Sequence, residues 1–134
     1  MKYLAHRDQE SEREQSLIDH LEKTAELAGQ YAEAFGAYQW GYCAGLLHDI
    51  GKYSQEFQRR IRGSEEQVDH ATAGAQLCHE KKGYYSLLSY CIAGHHAGLA
   101  DTGTRNDRSN IPTLYGRLKK QIPDYNAYKG AIQI

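Results

Sequence analysis

An all-α domain is the expectation for these 134 residues, and three features carry it. Residues 13–100 contain no proline, the only two in the chain being Pro112 and Pro123. Within that span several stretches repeat apolar residues at helical intervals. No stretch alternates apolar and polar residues long enough to read as a strand.

The stretch "SLIDHLEKTAELAGQYAEAFG" opens with Ser16 and Asp19 at capping-box spacing. Its apolar positions Leu17, Leu21, Ala28, Tyr31, Ala32 and Phe35 recur at helical intervals, and Gly36 is placed to end the helix. Next, "WGYCAGLLHD" reads as a short helix apolar on nearly every side, which assigns it to the core. Gly51 breaks it, and "SQEFQRRIR" resumes as an amphipathic turn or two. A polar link at "GSEEQ" leads to "DHATAGAQLCHEKKG", a third helix with small residues where helices approach closely. "YYSLLSYCIAGHH" is a fourth, mostly buried. Residues 97–112, rich in Gly, Asp and Asn, read as a loop, and "TLYGRLKKQI" as a final short helix.

The bulk numbers describe one domain, residues 1–134, with 40% hydrophobic and 25% charged residues. A net charge of -1 provides no global positive field for nucleic acid, so any such contact must rest on local patches. Cys43, Cys78 and Cys91 are too few for a secreted disulfide framework and read as reduced core residues. The N-terminal "MKYLAHRDQE" lacks an apolar run of signal-peptide length, and no segment reaches membrane-spanning length. The expected compartment is the cytoplasm.

The chain has seven histidines, at 6, 20, 48, 70, 79, 95 and 96. His20 shares the apolar face of the first helix, His48 closes the second, His70 opens the third, and His95 and His96 close the fourth. Burying five imidazoles leaves ten ring nitrogens to satisfy, which is costly unless something binds them. A metal ion is the economical partner, with Asp49 supplying charge. His20 and His70 lie near expected helix N-termini, where the macrodipole disfavours the imidazolium and keeps a lone pair free. His6 and His79 sit in polar surroundings and are set aside as ligands.

A helical histidine, then "HDIGK", then "DHATAG", then "HH" resembles the HD-domain metal-dependent phosphohydrolases. The longer phrases "SLIDHLEKTAELA", "AGLLHDIGKYSQEFQRRI", "DHATAGAQL" and "IAGHHAGLAD" resemble, over roughly residues 3–125, the HD nuclease domain of the CRISPR-associated helicase-nuclease of type I systems. The resemblance implies a helical bundle with a core of about five helices and a two-metal site. Asp49 would bridge both ions, His20 and His48 would complete one site, and His70, His95 and His96 the other. Lys52 would face the scissile phosphate. The family cuts single-stranded DNA, its helicase domain feeding the strand to the nuclease at targets marked by the RNA-guided Cascade complex. The family's first site also takes an aspartate from a later helix. Asp101 and Asp124 fall too early and in the wrong context for it, so the second site should bind metal better, and the chain reads as a truncated nuclease domain or the ordered part of one.

A histidine-rich, carboxylate-poor set suits Mn, Fe, Co, Ni or Zn better than Mg. Two such ions would clamp a phosphodiester and make a metal-bound hydroxide the nucleophile, so no serine or cysteine nucleophile is needed. Asp49 and Lys52 are the catalytic candidates, Lys52 offsetting charge on the phosphoryl oxygens. Arg59, Arg60 and Arg62 after the HD turn, and Arg105 and Arg108 in the following loop, are candidates for holding backbone phosphates. Two rival functions are an HD hydrolase of small or cyclic nucleotides, and a catalytically incomplete metal-binding module that docks onto the helicase or Cascade.

Overall fold

The structure, a computed structural model, describes residues 2–8, 10–11, 13–83, 85–96 and 98–133. Tyr84 and Ala97, where the expected fourth helix and the loop begin, lie outside the described residues. The domain is all-α in its core. Among the described residues are six α-helices: α1 (Leu17–Glu33), α2 (Tyr38–Leu47), α3 (Gln55–Ile61), α4 (Thr72–Lys81), α5 (Tyr85–Ala93) and α6 (Leu114–Leu118). A 3-10 turn, Ile50–Tyr53, joins α2 to α3, and a second, Asn126–Gly130, follows α6.

The helix starts follow from their caps. The Ser16 hydroxyl accepts from Asp19 N at the head of α1, Ser54 from Phe57 N at α3, and Thr113 from Gly116 N at α6. At α4 the cap comes from Asp69, whose carboxylate accepts from the backbone N–H of Ala71 and Thr72, both at 3.1 Å. Gly36, at φ +70°, turns the chain between α1 and α2. Leu17, Leu21, Leu47, Ile50, Cys78 and Ile92 form the centre of the core.

Helices α1 and α2 approach through small residues. A Cβ added at Gly45 would stand 2.6 Å from Ala25 Cα and 2.7 Å from Thr24 O. The stripe that α1 buries is therefore Leu17, Leu21, Ala25 and Gly29. Tyr31 and Phe35, expected on that apolar face, are 72% and 87% exposed. Close approach needs small side chains, and these two rings lie outside the seam. For the same reason α2 is not enclosed: it buries Gly45 and Leu47, while Trp40 is partly exposed. The cysteines also divide, with Cys78 buried, Cys43 half-buried and Cys91 exposed on the outer side of α5.

The sequence carries no visible strand pattern, yet the N-terminal residues form an antiparallel hairpin of β1 (Leu4–Arg7) and β2 (Glu14–Ser16), paired Leu4 with Ser16 and Arg7 with Glu14. Strands of four and three residues are too short for alternation to register. What holds β1 is a side chain from α3: Gln58 bonds both the N–H and the C=O of Leu4. No described helix is long and apolar enough to cross a membrane.

Candidate metal centre

Four segments deliver imidazoles to one carboxylate. His20 comes from the first turn of α1, His48 caps α2, His70 stands two residues before α4, and His95 follows α5. Asp49 is buried at 5% exposure. Its Oδ2 lies 3.1 Å from His20 Nε2 and 3.1 Å from His48 Nε2. Its Oδ1 lies 3.2 Å from His95 Nε2 and 3.9 Å from His70 Nε2. His70 Nε2 and His96 Nε2 are 3.0 Å apart. Two donor groups thus share Asp49: His20, His48 and Asp49, and Asp49, His70 and His96. His95 joins the second side through Oδ1. The four histidines that face Asp49 keep about a fifth of their side-chain surface open, at 17–22%.

The short backbone contacts assign the tautomers. His48 Nδ1 donates to Gly45 O at 2.6 Å, and His95 Nδ1 donates to Ile92 O at 2.6 Å. A neutral ring that donates from Nδ1 has only a lone pair at Nε2. Each such lone pair here faces a carboxylate oxygen, acceptor against acceptor. A positive charge between them removes the repulsion, and either a proton or a metal ion supplies it. The spacing fits an ion, because two donor atoms each about 2.1 Å from one cation and at right angles stand about 3 Å apart.

The metal-free electrostatics show the same demand for positive charge around Asp49. Burial raises the Asp49 carboxyl pKa, but the His20, His48 and His95 rings, which hydrogen-bond to it when their Nε2 atoms carry a proton, outweigh that and hold the group well below the usual carboxylate range. Burial lowers His95, but Asp49 and the Ile92 carbonyl reverse that and favour its imidazolium. His96 is lowered by burial and by His95. His70 falls to about 4, chiefly by burial, with Asp49 opposing.

The His70 shift predicts an acid-sensitive fold. An unfolded His70 titrates near 6.5 and the folded one near 4. Between those values the unfolded chain binds more protons, so stability is complete above about 6.5 and declines as pH falls toward 4. His95, raised by Asp49, works in the opposite sense. Melting temperatures of metal-free wild type and His70→Gln at pH 7.5 and 4.5 check this. The variant should lose less on acidification.

Gly51 is what lets the HD turn reach His70. A Cβ there would collide with the His70 carbonyl oxygen and stand 2.9 Å from its Cα. Gly51→Ala should cost about 1–3 kcal/mol and push His70 off Asp49. Thermal melting and bound-metal analysis would show it, with His20 and His48 still able to hold an ion.

All six expected ligands, His20, His48, Asp49, His70, His95 and His96, therefore meet in one place. Lys52 sits beside them, 6% exposed rather than solvated, its Nζ 3.5 Å from Asp49 Oδ2 and donating to Ala5 O at 3.2 Å. Arg59 is turned to Glu56 (3.7 Å) and Glu66 (3.9 Å) on the surface, and Arg105 is exposed in the loop before α6. Arg60 donates to Glu66 O and Arg62 to Lys2 O, so both tie chain segments together. His79 is exposed, as expected. His6 is not remote: its ring is 5.0 Å from that of His20, brought there by a hairpin that nothing in the sequence announces. Asp69 was also missed, although its place just before "HATAG" is a capping signal. It accepts from Lys120 Nζ at 2.6 Å and so fastens the residue next to His70.

A helical domain that gathers histidines around an adjacent His–Asp pair defines a metal-dependent hydrolase centre. The family model of the HD domain matches residues 17–126, and the chain belongs to that family of metal-dependent phosphohydrolases. A search of curated proteins finds no match.

Proposed function

We propose that the chain is a metal-dependent nuclease that hydrolyses phosphodiester bonds of single-stranded DNA, the cleavage module of type I CRISPR interference. The observation that carries the hydrolytic part is the division of Asp49, one oxygen to His20 and His48 and the other toward His95 and His70. The phrases "HDIGKYSQEFQ" and "GHHAGL", in that order and spacing, support the narrower assignment. On this reading the partners are a helicase domain and Cascade, and Arg59 and Arg105 hold backbone phosphates.

His20, His48 and Asp49 would hold one divalent transition metal ion, Mn, Fe, Co, Ni or Zn, and Asp49, His70, His95 and His96 a second. Such an ion supplies Lewis acidity, which makes water nucleophilic near neutral pH and screens phosphoryl charge. Asp49 keeps a full negative charge for both halves. The carbonyls of Gly45 and Ile92 hold the His48 and His95 rings with Nε2 inward. Lys52 places a cation beside Oδ2, where it offsets charge on the phosphoryl group.

The deciding experiment measures bound metal and then incubates the protein with single-stranded DNA, duplex DNA and a panel of linear and cyclic nucleotides. Mn, Co, Ni or Mg is supplied, with EDTA and Asp49→Ala as controls. Cutting of single strands that needs metal and Asp49 supports the nuclease. Nucleotide turnover with DNA untouched assigns the chain to the small-nucleotide hydrolases. Metal content without hydrolysis, and partner binding indifferent to Asp49→Ala, assigns a docking module.

A further inference from the structure

We propose that Gln58 is a positioning residue for phosphate binding, acting through Lys52, a role that rests on the phosphohydrolase reading above. Gln58 lies in α3 with no exposed surface. A fully buried carboxamide must find partners for two N–H groups and its carbonyl lone pairs. Gln58 finds four. Its Oε1 accepts from Leu4 N at 2.9 Å and from the Arg62 guanidinium at 2.7 Å. Its Nε2 donates to Leu4 O at 3.0 Å and to Lys52 O at 2.8 Å.

These bonds close a circuit around the lysine. The Lys52 carbonyl is tied to Gln58, and Gln58 is tied to Leu4. Leu4 is joined by a peptide bond to Ala5, and the Ala5 carbonyl accepts from Lys52 Nζ at 3.2 Å. Both ends of the lysine are therefore set by one side chain. A lysine stem is long and has many rotamers, so an ammonium fixed 3.5 Å from Asp49 Oδ2 and 5.3 Å from the centre of the Phe57 ring needs such a restraint. None of these four bonds goes to a candidate metal ligand. Gln58 acts by holding β1 and the HD turn in register, so that the ammonium is already aimed when a phosphoryl group arrives.

The test is a double-mutant cycle on the full chain loaded with Mn, read by calorimetric binding of inorganic phosphate and by hydrolysis of bis(p-nitrophenyl) phosphate. Gln58→Met, which keeps length and volume, should weaken phosphate binding roughly 10- to 100-fold with bound Mn unchanged. Lys52→Met should weaken it as well, and Gln58→Met should add nothing further in the Lys52→Met background. Either role lowers the melting temperature, because methionine leaves Leu4 and the Lys52 carbonyl without their partner, but a merely structural glutamine would add in full to Lys52→Met. Wild-type phosphate affinity in Gln58→Met, full additivity, or no phosphate binding by the wild type would each overturn the proposal. Gln58→Glu, which keeps the acceptor for Leu4 N and Arg62, runs the same cycle if the methionine variant does not fold. Phosphate binding that obeys the cycle, with no phosphodiester hydrolysed, would sink the phosphohydrolase reading and leave Gln58 in its place.

Discussion

Asp49→Ala is expected to remove metal from both halves of the centre at once and to lower phosphodiester hydrolysis about a thousandfold or more, roughly 4 kcal/mol of transition-state stabilisation. No single histidine change should match it, because Asp49 alone has an oxygen on each side, Oδ2 at 3.1 Å from His20 and His48 and Oδ1 at 3.2 Å from His95. Asp49→Asn separates charge from shape. The amide fills the same space and can donate to one Nε2, so the metal-free fold should melt close to wild type while metal binding is lost. Elemental analysis of the purified variants, paired with rates at saturating Mn, gives the answer. Two bound ions in Asp49→Ala would show that the carboxylate is not shared.

Metal should also stabilise the fold strongly. Ions that bind only the folded chain add about 2.7 kcal/mol at a hundredfold excess over Kd, a rise on the order of 10 °C for a domain of this size. Neutral His48 and His95 rings meet Asp49 acceptor against acceptor, and a metal ion relieves that repulsion without a proton on either ring. The titration should show two steps, because the halves are unequal: Asp49 with His70, His95 and His96 offers more donors than Asp49 with His20 and His48. His70→Ala should remove the tighter step, and His20→Ala the weaker. Calorimetric titration of metal into EDTA-stripped protein, followed by thermal melting, separates the steps. A single step unaffected by either variant would contradict the division.

Much of this centre was legible because helices announce themselves locally. The apolar period of α1 and the apolar runs of α2 and α5 are each local to one segment, and each carried a histidine to a recognisable helix end. The helical period does not say which of its apolar residues face inward. Tyr31 and Phe35 obey the helical period yet stand in solvent, since the seam between α1 and α2 is made by Ala25, Gly29 and Gly45. Cys91 looked like core and is exposed on the far side of α5.

From residue order came the helices, the six ligand candidates and the HD family phrases, since each depends on spacing along one segment. The arrangement of those ligands came from contacts across long stretches of chain. The assignment of one Asp49 oxygen to His20, 29 residues before it, and the other to His95, 46 residues after it, exists only once four segments have packed. The same holds for the burial of Lys52 against Ala5 and for the approach of His6 to His20. A periodic pattern reports which side of its own helix a residue occupies. It carries no record of what a distant strand or turn will bring against that side.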